Sequence, residues 1–205
     1  MYNFLTIGYD CSPATALRNL NFRKFALPFD WIQSNIHSIQ KCFETNFEKF
    51  HTNLKINYTK TRLIDDYGFQ FPHDYPLIDK DINISEIGEG VFGEDPSKII
   101  IETWNNYYSI VKEKYDRRIE RFQTIINDSK PIIILCRYNT KDVMELQNLF
   151  LRYYNKDNIY FINSSPELFE NEKIKNINTE QNGIWNDKNI WKHHIDKIIN
   201  KIEKN

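Results

Sequence analysis

The sequence predicts an α/β fold, with a mostly parallel central sheet flanked by helices and an irregular insertion around residues 51–95. Three observations predict it. A strand-like segment opens the chain and runs at once into a helical pattern. A continuous apolar run, IIILC at 132–136, suits a strand buried on both faces. Helical and strand patterns then alternate to the C-terminus, as crossover connections between parallel strands require.

Residues 2–8, YNFLTIG, read as the first strand, ended by Gly8. Asp10 or Ser12 caps the next helix, Pro13 fits its first turn, and ATALRNL carries it. Pro28 holds Leu27 out of the helical region. Residues 33–50 place Ile36, Ile39, Phe43, Phe47 and Phe50 at helical spacing. Residues 51–95 are dense in turn signals and read as a lid or insertion within one 1–205 domain. Asp95 and Pro96 start a long helix over 97–126. After the 132–136 strand come a helix from Thr140, its expected cap, a strand NIYFINSS and a short edge strand at 172–178. A terminal helix, NIWKHHIDKIINKI, closes the chain, and one of its His pair is placed to favour the C-terminal dipole.

Composition narrows the function. Twenty-seven basic against 28 acidic residues give a net charge of −1, which offers no electrostatic case for a nucleic-acid or membrane partner. No apolar run approaches the roughly 20 residues of a membrane span, and the N-terminus lacks signal-peptide features. Three cysteines, at 11, 42 and 136, form neither a disulfide framework nor a zinc pattern. A reducing, cytoplasmic setting without metal or cofactor is the expectation.

Cys11 falls between a strand end and a helix start, where unpaired N–H groups stabilise a thiolate and can hold an oxyanion. A buried small hydrophobe is the alternative reading of the same residue. Cys42 and Cys136 read as structural. His73 is the candidate base and Asp74 the carboxylate beside it, with Asp30, Asp65 and Asp66 as alternatives for orienting it. Arginine is scarce, 8 against 19 Lys, which draws attention to Arg18 and Arg23 around the first helix and Arg137 at a strand end. Gly8, Asp10, Arg18, Arg23, Asp30 and Arg137 are the expected substrate-binding set, around an anion pocket built on Cys11, Arg18 and Arg137. Structural salt bridges are the competing reading of each arginine.

The segments F4-L5-T6-I7-G8-Y9-D10-C11, A16-L17-R18, F22-R23 and P28-F29-D30-W31 resemble a family of papain-like cysteine peptidases of otherwise unknown function, found in bacteria and large DNA viruses. F71-P72-H73-D74-Y75 resembles its His-Asp motif, and R118-I119-E120-R121-F122 and I134-L135-C136-R137-Y138 its later motifs. The resemblance implies a Cys11 nucleophile, a His73 base, and Asp74 or a later Asn such as Asn163 as third member. It implies a peptide or amide substrate and, for a viral chain, the host cytoplasm. Papain-like cores carry the His on an antiparallel sheet, whereas the pattern here is parallel. A non-peptidase α/β enzyme acting on a small anionic substrate, such as a phosphorylated sugar or glycan precursor, and a non-catalytic domain are the alternatives.

Overall fold

A computed structural model describes residues 2–78, 99–181 and 183–204. The chain divides into two compact units, Met1–Ala26 with Thr124–Asn205, and Leu27–Gln123.

The first unit is the α/β part. Its sheet has the order β1 (Asn3–Gly8), β5 (Ile132–Arg137), β6 (Ile159–Ser164), β7 (Ile174–Ile177), and every pairing is parallel. β1 and β5 run in register from Asn3 opposite Ile132 to Gly8 opposite Arg137. All of 132–136 is buried, as the unbroken apolar run requires of a central strand covered on both faces. Alternation sends Ile133 and Leu135 to one face, where they join Ile162, Ile177, Ala16 and Leu17 of α1 (Ser12–Asn19), and Trp191 and Ile195 of α5 (Lys188–Lys204). Asn186 ties this layer together. Trp191 Nε1 donates to its Oδ1 at 2.8 Å, and its Nδ2 donates to Ser12 O at 2.9 Å. On the other face α4 (Thr140–Tyr154) packs on β6, with Phe150 6.3 Å from Phe161 between ring centroids.

The cap of α4 is Asn139, whose Oδ1 accepts the Asp142 N–H at 2.8 Å, rather than the expected Thr140. The His pair at 193 and 194 lies in the first half of α5 and not at its C-terminal end, so the dipole role does not apply.

The second unit holds α2 (Ile36–Glu44), a small antiparallel sheet of β2 (Lys55–Ile56), β3 (Leu63–Ile64) and β4 (Gln70–Phe71), a 3-10 turn at Trp104–Tyr107, and residues 108–123 of α3 (Tyr108–Asn127). The helix expected over 33–50 is thus confined to its middle, capped by Asn35, whose Oδ1 accepts the Ser38 N–H. The helix expected over 97–126 begins in α-geometry only at Tyr108. The Asp95-Pro96 start, and residues 79–95 of the expected lid, lie outside the described residues.

Phe29 is the hub of this unit's core. Its ring centroid lies 5.7 to 6.2 Å from those of Phe43, Phe47, Phe50, Phe69 and Phe122. The helical-spacing phenylalanines therefore reach one cluster, although the chain leaves the helix at Thr45. Replacing Phe29 by Ala should cost about 3–5 kcal/mol, read as a lower urea midpoint at unchanged m-value. A loss under about 1 kcal/mol would mean that the other rings close the gap.

Candidate functional site

The carboxyl edge of the parallel sheet is built around the end of β1. Gly8 is favoured there by a close approach. A Cβ at this position would stand 3.3 Å from Pro13 Cγ and 3.4 Å from the Arg137 nitrogen. Asp10 then organises the turn, its Oδ1 accepting from the Ser12 N–H at 2.9 Å and from Ser12 Oγ at 2.6 Å. Its other oxygen lies 3.3 Å from Arg137 Nη1. Arg137 also pairs with Glu180 through Nη2, and its guanidinium stands 5.3 Å from the Tyr9 ring centroid.

Cys11 sits at the N-cap of α1, half-buried, while Cys42 and Cys136 are sealed in the core. The expected depression of its pKa is absent. Burial pushes the thiol above its ordinary value and the Asp10 carboxylate adds to this, outweighing the Thr15 hydroxyl and Arg18. The helix start is also a poorer donor site than a generic one. Ser12 N–H is taken by Asp10, Pro13 has no N–H, and Thr15 N–H goes to Cys11 O.

Of the expected anion-binding residues, the sheet brings Gly8, Asp10 and Arg137 together. Arg18 is exposed in the last turn of α1, and Arg23 is half-buried beyond it. Arg137 carries two carboxylates of the protein itself, so its charge is largely balanced. Beside it opens a crevice of about 520 Å³, lined by Tyr9, Arg137, Ser164, Ser165, Glu167 and Glu180 among others. Asn163 lies beneath, fully buried. Its Nδ2 donates to Tyr138 O and Asn176 Oδ1, and its Oδ1 accepts from Tyr138 N and Cys136 Sγ. Those four bonds use the whole amide and hold the strand ends.

Asp30, His73 and Asp74 belong to the second unit. Asp30 is buried and its Oδ2 accepts the Leu27 N–H at 2.9 Å, which fixes the turn around Pro28. His73 follows β4 of the antiparallel sheet, is 9% exposed, and meets the Trp31 ring edge-on at 6.2 Å. Asp74 is fully buried. Tyr115 Oη donates to its Oδ2 at 2.7 Å, and Arg118 stands 4.9 Å from the Tyr115 ring centroid. Burial raises the Asp74 pKa against the pull of Arg118, Tyr115 and His73. Asp65 is also internal, holding the N–H groups of His51, Tyr67 and Phe69, and burial lifts it to about 7.

The family described as "Putative papain-like cysteine peptidase (DUF1796)" matches residues 2–159. The chain belongs to that family. An uncharacterised protein of Acanthamoeba polyphaga mimivirus is 26% identical to it over 224 aligned positions, covering 92% of this chain and 95% of the viral one. No solved structure matches the chain. Among the described residues no helix is long and apolar enough to cross a membrane, and no group of three or more His, Cys, Asp or Glu is placed to hold a metal ion.

Sequence reasoning missed His51 in this family member. It is fully buried, stacked between Tyr75 and Tyr108, with Nε2 3.1 Å from Tyr75 Oη. Only its place at the end of the 36–50 apolar stripe hinted at burial. Desolvation, with Lys112 and Arg118, pushes its pKa down to about 3.

His51 stays neutral when folded but takes up a proton near pH 6.5 when unfolded. Its contribution is therefore complete above about pH 6.5 and is lost as the pH falls toward 3. The urea midpoint of the native protein should drop more steeply between pH 6.5 and 4 than that of His51→Gln, whereas parallel profiles would refute a neutral His51. Asp65 acts with opposite sign over part of this range but is present in both proteins. At the other site, Asp10→Asn keeps the capping oxygen and removes the charge that holds the Cys11 thiol up. Alkylation of Cys11 at pH 8 should accelerate, and an unchanged rate would show that burial alone sets the thiol.

Proposed function

We propose that this protein is a cysteine hydrolase acting on a peptide or another amide, with Cys11 as nucleophile and His73 as base. The observation that carries the reading is that Cys11, alone of the three cysteines, is accessible, and that it stands at the carboxyl edge of the sheet. Membership of a family described as cysteine peptidases supports the same chemistry.

In this reading the Cys11 surroundings leave a protonated thiol at neutral pH, so attack needs a base at the moment of reaction. The Sγ–acyl bond forms as the thiol proton passes to the His73 imidazole. The imidazolium returns the proton to the departing amine as the amide bond breaks, and water then hydrolyses the thioester. The oxyanion falls to the N–H groups of Cys11 and Ala14, since the neighbouring donors are spent. Asp74, committed to Tyr115, acts by holding the segment that carries His73.

The test is iodoacetamide labelling against pH, mapped by mass spectrometry, in the native protein and in His73→Ala. If the His73 imidazole takes the thiol proton, Cys11 should label faster near neutral pH in the native protein than in His73→Ala. Identical profiles in both proteins would sink the cysteine-hydrolase reading.

The crevice favours a second reading, an α/β enzyme that binds a small anionic substrate at the carboxyl ends of its strands. Arg137 would then exchange Glu180 for the substrate's anionic group.

A further inference from the structure

The far side of the α/β unit carries a second concave site. β7 is an edge strand, and the recess lies between its approach and α5. His194, Lys197 and Lys201 line it from α5, spaced so that they share one helix face, and Lys173 and Lys175 line it from the strand side. Its floor includes Tyr160, whose ring centroid is 4.4 Å from Lys173 Nζ and 6.0 Å from Lys201 Nζ. Two ammonium groups thus converge on one aromatic ring.

The carboxylates do not balance this charge. Four lysines line the recess against Glu170 and Glu172. Glu170 is engaged by Lys175, and Glu172 meets Lys201 through its backbone oxygen at 2.9 Å. An excess of about two positive charges faces a space of about 120 Å³, a few water molecules in size. That volume takes one tetrahedral oxyanion.

We propose that this recess is a phosphate-binding site, built by Lys173, Lys197, Lys201 and His194, for the dianionic head of a phosphate monoester or for inorganic phosphate. A phosphate monoester carries about −1.5 to −2 at pH 7, matching the charge the recess leaves over. His194 reports on the same field. Burial, His193, Lys197 and Lys175 push its pKa down to about 4 against the weaker pull of Glu170. A bound anion reverses the sign of that field at the imidazole.

The experiment is an NMR titration of the full-length protein with inorganic phosphate at constant ionic strength, pH 7. The amides of Lys173 and Lys201 and the His194 ring should shift together and saturate, with Kd of order 1 mM or tighter. Saturating phosphate should raise the His194 pKa by about one unit, a tenfold change in proton affinity, while the His193 ring resonances shift less. The Lys173→Gln/Lys201→Gln variant, altered at sites outside the core, should bind at least tenfold more weakly. A parallel titration with glycerol phosphate separates the sources: tighter binding than phosphate assigns an ester head, and equal binding assigns the free ion. Linear, unsaturating shifts, an equal response at His193, or unchanged affinity in the variant would overturn the proposal.

Discussion

The parallel pairing of β1 with β5 is the constraint on which the α/β unit rests. It joins residues 3–8 to residues 132–137, with all of unit Leu27–Gln123 lying between them in sequence. Closing a loop of that length costs about 4 kcal/mol beyond a constant. The offset comes from burial: Leu5 and Ile7 of β1 and the whole of 132–136 are withdrawn from water. The intervening unit has its own core around Phe29, so the sheet need not supply that unit's stability. Every feature of the carboxyl edge inherits this register. Gly8 faces Arg137 because the register puts it there, and only then can Asp10 meet Arg137 on one side and Ser12 on the other.

That geometry decides how Cys11 behaves. A helix N-terminus alone would lower a thiol pKa. Here the helix start is capped by a carboxylate two residues before its first turn, and the same carboxylate is held close by Arg137. The dipole's partial charge is already answered when the thiol meets it. Burial then sets the sign of the shift. The edge is therefore organised to hold a neutral thiol, and its arginine is balanced by the protein's own carboxylates.

The α/β class was legible because its signals are strong and local. The 132–136 run has no polar residue to suggest another environment, and β7 falls inside the 172–178 segment expected at the edge. Helix ends were less legible. Asn46 and Phe47 adopt left-handed backbone, with φ of 47° and 66°, so α2 stops while its aromatic spacing continues. Sequence spacing records which side chains share a core, not which backbone carries them there. Cys11 and Arg137 could be placed from strand ends. The charges that balance Arg137 could not, because Glu180 is distant in sequence and carries no pattern. Beyond its place at the end of the apolar stripe, His51 gave no signal for the same reason, since its surroundings come from Phe71, Tyr75, Tyr108 and Tyr115.

The second unit shows how a small fold can keep ionisable groups inside. Asp65 receives three backbone N–H groups at 2.9 to 3.0 Å, one of them from His51. Those donors fix the 65–69 turn, where Gly68 at φ 92° supplies the left-handed position. Yet burial still lifts the acid to about 7 and holds His51 near 3. Neither group keeps its charge readily, and each serves the fold as a neutral or nearly neutral polar anchor. Asp74 follows the same rule, bound by a tyrosine hydroxyl beneath an arginine and raised by burial nonetheless. Within this unit desolvation outranks pairing, so Asp74 anchors the segment bearing His73 more than it lends that imidazole a full negative charge.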